Sequence, residues 1–114
     1  MGCSGDGEKT ARNENASGND AEVTIKLLAF KPERLSVAVG ATVTWSQEDP
    51  GTHTVTSGTV EQGAVEITEM PDGKFDAGEI AKGDTFAFTF EQAGTYSYFC
   101  ELHPATMRGE VRVR

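Results

Sequence analysis

The chain has 114 residues and a formal net charge of −8, with two histidines and two cysteines. That length suits one compact domain and hardly two. The acidic balance excludes a phosphate backbone as ligand, because such a partner calls for a basic face. No apolar run reaches the length that a membrane-spanning helix needs.

The chain opens Met1-Gly2-Cys3-Ser4-Gly5. This resembles the start of a mature bacterial or archaeal lipoprotein, where the lipid sits on a cysteine that follows a small residue. The rival motif, N-myristoylation, wants Ser or Thr at position 6, and this chain has Asp6. The expectation is a lipid on Cys3 as the one membrane contact. Residues 2–20 contain no large apolar side chain. Such a segment buries too little surface to offset the entropy of ordering it. Residues 1–20 are therefore expected to be a flexible tail, and residues 21–114 the folded domain.

Within that domain, short apolar runs alternate with turn residues, the pattern of a β-sandwich. Val23, Ile25 and Leu27 alternate in a first strand. Leu35, Val37 and Val39 form a second, closed by Gly40. Val43 and Trp45 mark a third, and His53 and Val55 share one face of a fourth. Ala64 to Thr68 is a weaker fifth. Phe86, Phe88 and Phe90 give the clearest period of two and a sixth. Tyr96, Tyr98 and Cys100 make a seventh, and Val111 and Val113 an eighth. The expected fold is all-β, an eight-stranded sandwich of two facing sheets. Glu69 to Lys82 resists this pattern and is expected to be a long loop with one helical turn, in which Met70 fills core space.

The chemistry concentrates in Cys100-Glu101-Leu102-His103-Pro104-Ala105-Thr106-Met107. A thiolate, an imidazole and a thioether lie within eight residues at a strand end. The other histidine, His53, lies far upstream at the start of another strand. Two imidazoles and a thiolate in a plane, with a weak thioether on the axis, make the blue-copper donor set. Taken singly, each residue has a plainer role: a small buried hydrophobe, a structural histidine, a core filler. Taken together in a chain with two histidines, they point to one metal site at His53, Cys100, His103 and Met107. Zinc sites avoid thioethers and recruit a second cysteine or a carboxylate, so copper is favoured. A disulfide from Cys3 to Cys100 would tie a tail to a strand end and order little. The two cysteines read as separate functions.

These residues carry a resemblance. His53, then Gly94-Thr-Tyr-Ser-Tyr-Phe-Cys100, His103, Met107 and Gly109-Glu-Val-Arg-Val113 resemble the small cupredoxins, in the branch of plastocyanin and amicyanin. Val39-Gly40-Ala-Thr-Val-Thr-Trp45 and Phe75-Asp76-Ala-Gly78 belong to the same likeness, which covers residues 21–114. It implies a Greek-key sandwich with one copper at one end under the loops. It implies one-electron transfer between larger redox partner proteins, with His103 as the more exposed ligand and the electron exit. It also implies a monomer in an extracytoplasmic, oxidising compartment such as the periplasm, which agrees with a lipid-bearing Cys3.

The chain departs from the pattern twice. Three residues separate His103 from Met107, where amicyanin-like loops have two and plastocyanin-like loops four. Thr54 follows the first histidine, where the family often has an Asn that ties the two ligand loops together. Phe30, Tyr98, Phe99 and Leu102 are expected around the Cys100 sulfur, where apolar surroundings tune the potential.

Charge is uneven as well. Between Glu48 and Glu91 lie ten acidic residues and two lysines, while the rest of the chain cancels. This face either solubilises the protein or meets a basic partner. Rival functions are a copper-binding module for storage, delivery or resistance, and a copper enzyme. An enzyme would need further histidines for a second centre, and none remain. No Ser-His-Asp set, P-loop or dinucleotide-binding Gly motif is present.

Overall fold

The structure is a computed structural model that describes residues 20–114. The expected tail and the lipid expected on Cys3 lie outside the described residues. Nine strands follow in order: β1 (Ala21–Ile25), β2 (Phe30–Lys31), β3 (Arg34–Val37), β4 (Thr42–Gln47), β5 (Thr52–Gln62), β6 (Ile67–Ala81), β7 (Thr85–Thr89), β8 (Gly94–Phe99) and β9 (Arg108–Val113). They form a four-stranded sheet in the order β2-β1-β4-β7 and a five-stranded sheet in the order β3-β9-β8-β5-β6. The chain passes between the sheets repeatedly. Strands distant in sequence therefore pair in parallel, β1 with β4 and β3 with β9.

The sandwich follows from the alternation. Val23 and Ile25 on β1 and Val43 and Trp45 on β4 are completely buried, as are Phe99 on β8 and Val111 on β9. Between the sheets stands an aromatic cluster. Tyr98 packs edge-on against Phe30, with ring centroids 4.7 Å apart, and against Trp45 at 5.3 Å. Fully burying a large apolar side chain contributes about 1.5–3 kcal/mol, and each such aromatic pair adds roughly 0.5–1.5 kcal/mol. Burial also pushes the Tyr98 phenol well above its ordinary range. Gly109 is required beside this ring, because a Cβ there would collide with the Tyr98 phenol.

Among the described residues nine strands replace the expected eight, and one expected loop proves to be strand. The extra one is β2, two residues that pair with Thr24 and Ile25 and are too short to show a period. The weak fifth strand is the start of β6, and the segment expected to be a loop, Glu69 to Lys82, is nearly all strand. Its irregularity is that of a bulged edge. Register shifts fall between Thr54 and Thr56 and between Thr56 and Gly58. Gly73 and Gly78 take positive φ values of 77° and 69°. The Asp72 carboxylate accepts the Lys74 N–H, and Asp76 accepts that of Gly78. Extra residues of this kind break the period of two and protect an edge. Phe75, inside this stretch, is buried against Trp45 and Phe90.

Three side chains depart from expectation. Leu27 does not extend β1: it lies in a turn at φ 56° and is 72% exposed. Val39 lies past the end of β3 and is exposed. Met70 is exposed on the edge strand and fills no core.

Candidate metal centre

Two elements bring the site together. His53 sits near the start of β5, and Cys100 directly follows β8. β5 and β8 pair through Thr56↔Phe99 and Ser57↔Tyr98. That register carries His53 and Cys100 to the same end of one sheet, although 47 positions separate them. Both are buried, and His103 is half-buried.

The ligating atoms of His53, Cys100 and His103 all lie within 4.8 Å of one another. The Cys100 Sγ stands 3.7 Å from His53 Nδ1 and 3.8 Å from His103 Nδ1. Both imidazoles thus turn the same nitrogen toward the sulfur. Bonds of about 2.3 Å to sulfur and 2.0 Å to nitrogen, set 120° apart, separate the donors by about 3.7 Å. Both sulfur-to-nitrogen spacings therefore match those around a small transition-metal ion.

The loop from Cys100 to Met107 closes on itself. The Cys100 N–H donates to the Met107 carbonyl at 3.0 Å, and the Met107 N–H to the His103 carbonyl at 2.9 Å. Met107 is completely buried. Arg108 steadies the loop from outside, donating from Nε to the Pro104 carbonyl at 2.8 Å and from a terminal nitrogen to Gln62 Oε1 at 3.0 Å.

Thr54 answers the question raised by the missing Asn. Its backbone N–H points at Cys100 Sγ at 3.4 Å, and its hydroxyl oxygen accepts the Glu101 N–H at 2.7 Å. The Thr56 hydroxyl donates to the Glu101 carboxylate at 2.6 Å, so Glu101 is held at both ends. Of the residues expected around the sulfur, Phe30, Tyr98 and Phe99 are buried; Leu102 is 48% exposed and faces solvent instead.

One residue at the site escaped sequence reasoning. Asp49 is buried, and its Oδ2 lies 2.9 Å from His53 Nε2, the ring nitrogen turned away from Cys100. The same carboxylate accepts the N–H groups of Leu27 and Leu28. Burial opposes its charge, but these bonds and His53 outweigh that and hold its carboxyl below the ordinary carboxylate value. In the sequence it was one of ten acids in an acidic stretch; its spacing four residues before His53 was the one available signal.

The chain is similar to several plastocyanins and amicyanins. It is 31% identical over 107 residues to the plastocyanin of Scenedesmus fuscus, covering 82% of this chain and all of that one. It is 33% identical over 93 residues to the amicyanin of Paracoccus denitrificans, covering 80% of this chain and 63% of that one. Among solved structures, a purple cupredoxin from Nitrosopumilus maritimus superposes with a TM-score of 0.65 at 27% identity, covering 82% of this chain and 99% of that one. A reduced amicyanin variant gives a TM-score of 0.65 at 29% identity, covering 87% and 86%. A family profile described as copper binding proteins, plastocyanin/azurin family, matches residues 16–114. With a sandwich that gathers two imidazoles and a thiol at one end, this chain belongs to that family of copper-binding proteins.

Proposed function

We propose that the chain carries single electrons through one type 1 copper, with His53, Cys100 and His103 as the planar ligands and Met107 on the axis. The observation that carries this reading is the 3.7 Å and 3.8 Å spacing of the two Nδ1 atoms around one buried sulfur. Copper supplies a one-electron couple between Cu(I) and Cu(II). The residues supply a fixed frame. His53 comes from a packed strand, Cys100 directly follows one, and the Cys100 loop is closed by its own backbone bonds, so the donors move little when the charge changes. The Thr54 N–H offers the sulfur a hydrogen bond, which draws charge from the thiolate and raises the potential.

His103 is the one half-buried member of the trio, which makes it the route for electrons to leave. Redox partner proteins dock near it. The buried donors favour a carrier that retains its metal over a delivery module that releases it, and the chain acts as a carrier and not as an enzyme. Residues 21–114 form the copper domain. The segment before them serves as a tether, with a lipid on Cys3 holding the protein outside the cytoplasm.

Titration of the copper-free protein with Cu(II) tests the reading. One equivalent should produce an intense absorption toward the red end of the visible spectrum. Copper bound without that band would overturn it.

A further inference from the structure

The Asp49 carboxylate joins the proposed copper ligand His53 to a strained surface turn. Leu27 and Leu28 both have positive φ, 56° and 57°, a region that bulky residues seldom enter. Two in succession aim consecutive backbone N–H groups at one point, which makes an anion-binding concavity. Asp49 fills it: Oδ1 accepts the Leu27 N–H at 2.7 Å and Oδ2 the Leu28 N–H at 2.9 Å. Oδ2 also faces His53 Nε2 at 2.9 Å. Gln47, itself buried, locks the Asp49 backbone from below. Its Oε1 accepts the Asp49 N–H at 2.6 Å, and its Nε2 donates to the Gly51 carbonyl at 3.0 Å. Every contact thus fixes this carboxylate against the back of the imidazole.

We propose that Asp49 is a positioning residue for His53: it keeps the ring proton on Nε2, leaves Nδ1 free for copper, and by its negative charge biases the site toward Cu(II). The proposal rests on the copper-carrier reading above. The physical reason is charge balance. Cu(II) carries one more positive charge than Cu(I), so a fixed anion behind a ligand stabilises it more. A carboxylate partner also makes the imidazole a stronger donor. The potential is therefore lower than the same ligands would give with a neutral partner. Leu27 and Leu28 are 72% and 52% exposed, so no burial of their side chains holds the turn; two backbone bonds between Lys26 and Ala29 close it as a β1–β2 hairpin, and the carboxylate adds the two bonds that the leucine N–H groups would otherwise lack.

Cyclic voltammetry of the copper-loaded full chain and of Asp49→Asn tests the charge, with the visible band confirming copper in each. The potential should rise in Asp49→Asn; an unchanged or lower potential in a blue variant overturns the proposal. An Asn accepts at one oxygen, so one leucine N–H loses its partner. Leu27→Gly separates that strain from the charge, because it relieves the turn and keeps the carboxylate. Its potential should match wild type. A rise equal to that of Asp49→Asn would assign the effect to the turn and overturn the proposal.

Nitrogen NMR of the copper-free chain with labelled histidine gives a readout without metal. His53 should carry its proton on Nε2 in wild type and show mixed tautomers in Asp49→Ala. A proton on Nδ1 in wild type, with Nε2 bare, overturns the positioning role. A wild-type chain that binds copper without the blue band would count against the copper-site reading, and the tautomer result then decides the role of Asp49 by itself.

Discussion

Thr54 binds Cys100 and the residue after it at once: its N–H reaches Cys100 Sγ at 3.4 Å while its hydroxyl oxygen accepts the Glu101 N–H at 2.7 Å. One residue thereby fastens the strand that carries His53 to the loop that carries the other proposed ligands. Thr54→Val keeps the shape and removes the acceptor, leaving the Glu101 N–H without its partner. The bond is part-buried, and a hydrogen bond of this kind contributes about 0.5–1.5 kcal/mol. Urea unfolding of the copper-free protein should show a loss of that size, with Thr54→Ser close to wild type. A Thr54→Val protein as stable as wild type would mean that the bond contributes nothing.

Cys100→Ser should abolish the intense visible absorption. The colour arises from charge transfer between a thiolate and Cu(II), and an alkoxyl group supplies no such donor. Cys3→Ser should leave the spectrum unchanged. A Cys100→Ser protein that stayed intensely blue would refute Cys100 as the ligand.

Phe75 provides a test of the fold. It is 5% exposed and lies between Trp45 and Phe90, with ring centroids 5.5 Å and 5.7 Å away. Phe75→Ala should cost about 3–5 kcal/mol by thermal or urea unfolding, the range for a large buried aromatic. Met70→Ala, on the exposed edge of the same strand, should stay within about 0.5 kcal/mol of wild type. Equal effects would mean that β6 does not pack as described.

The contrast between Phe75 and Met70 shows where the sequence was legible. Phe86, Phe88 and Phe90 declare a strand because nothing interrupts their period. In β6 the bulges around Gly73 and Gly78 shift the phase, so a real strand with a buried Phe75 resembled a loop. Cys100 and His103 were visible as a local motif, and His53 joined them because no other histidine existed. Asp49 was hidden because its role depends on a turn at Leu27 and Leu28, and a pair of leucines carries no turn signal. Backbone contacts formed at a distance leave no pattern in composition or spacing.

The acidic residues cluster on the β5–β6 hairpin, where Glu61, Glu66, Asp72, Asp76 and Glu79 are all exposed. Charge of this kind steers encounter more than it holds a complex. Screening acts over about 10 Å at 0.1 M salt. The rate of electron transfer with the physiological partner should therefore vary with ionic strength, while the intramolecular potential stays constant. A rate that is flat from low to high salt would leave these residues as a solubilising surface.

Met107 is the ligand assignment that most needs a direct test, because three residues separate it from His103 where related loops have two or four. Its side chain is completely buried, and its backbone carbonyl accepts the Cys100 N–H. The residue thus has a structural task whether or not its sulfur meets copper. If the thioether is the weak axial donor, removing it should not release the metal, since three stronger donors remain. The balance between the two oxidation states should change instead. A harder oxygen donor favours Cu(II), so Met107→Gln should lower the reduction potential. Leucine offers no donor and keeps the position apolar, so Met107→Leu should raise it. If Met107 only packs beneath the loop, both variants perturb the same contacts and neither alters axial donation. Cyclic voltammetry on the pair separates the two cases. Shifts of opposite sign, with the blue band retained, assign the axial position to Met107, and shifts of the same sign remove it from the ligand set.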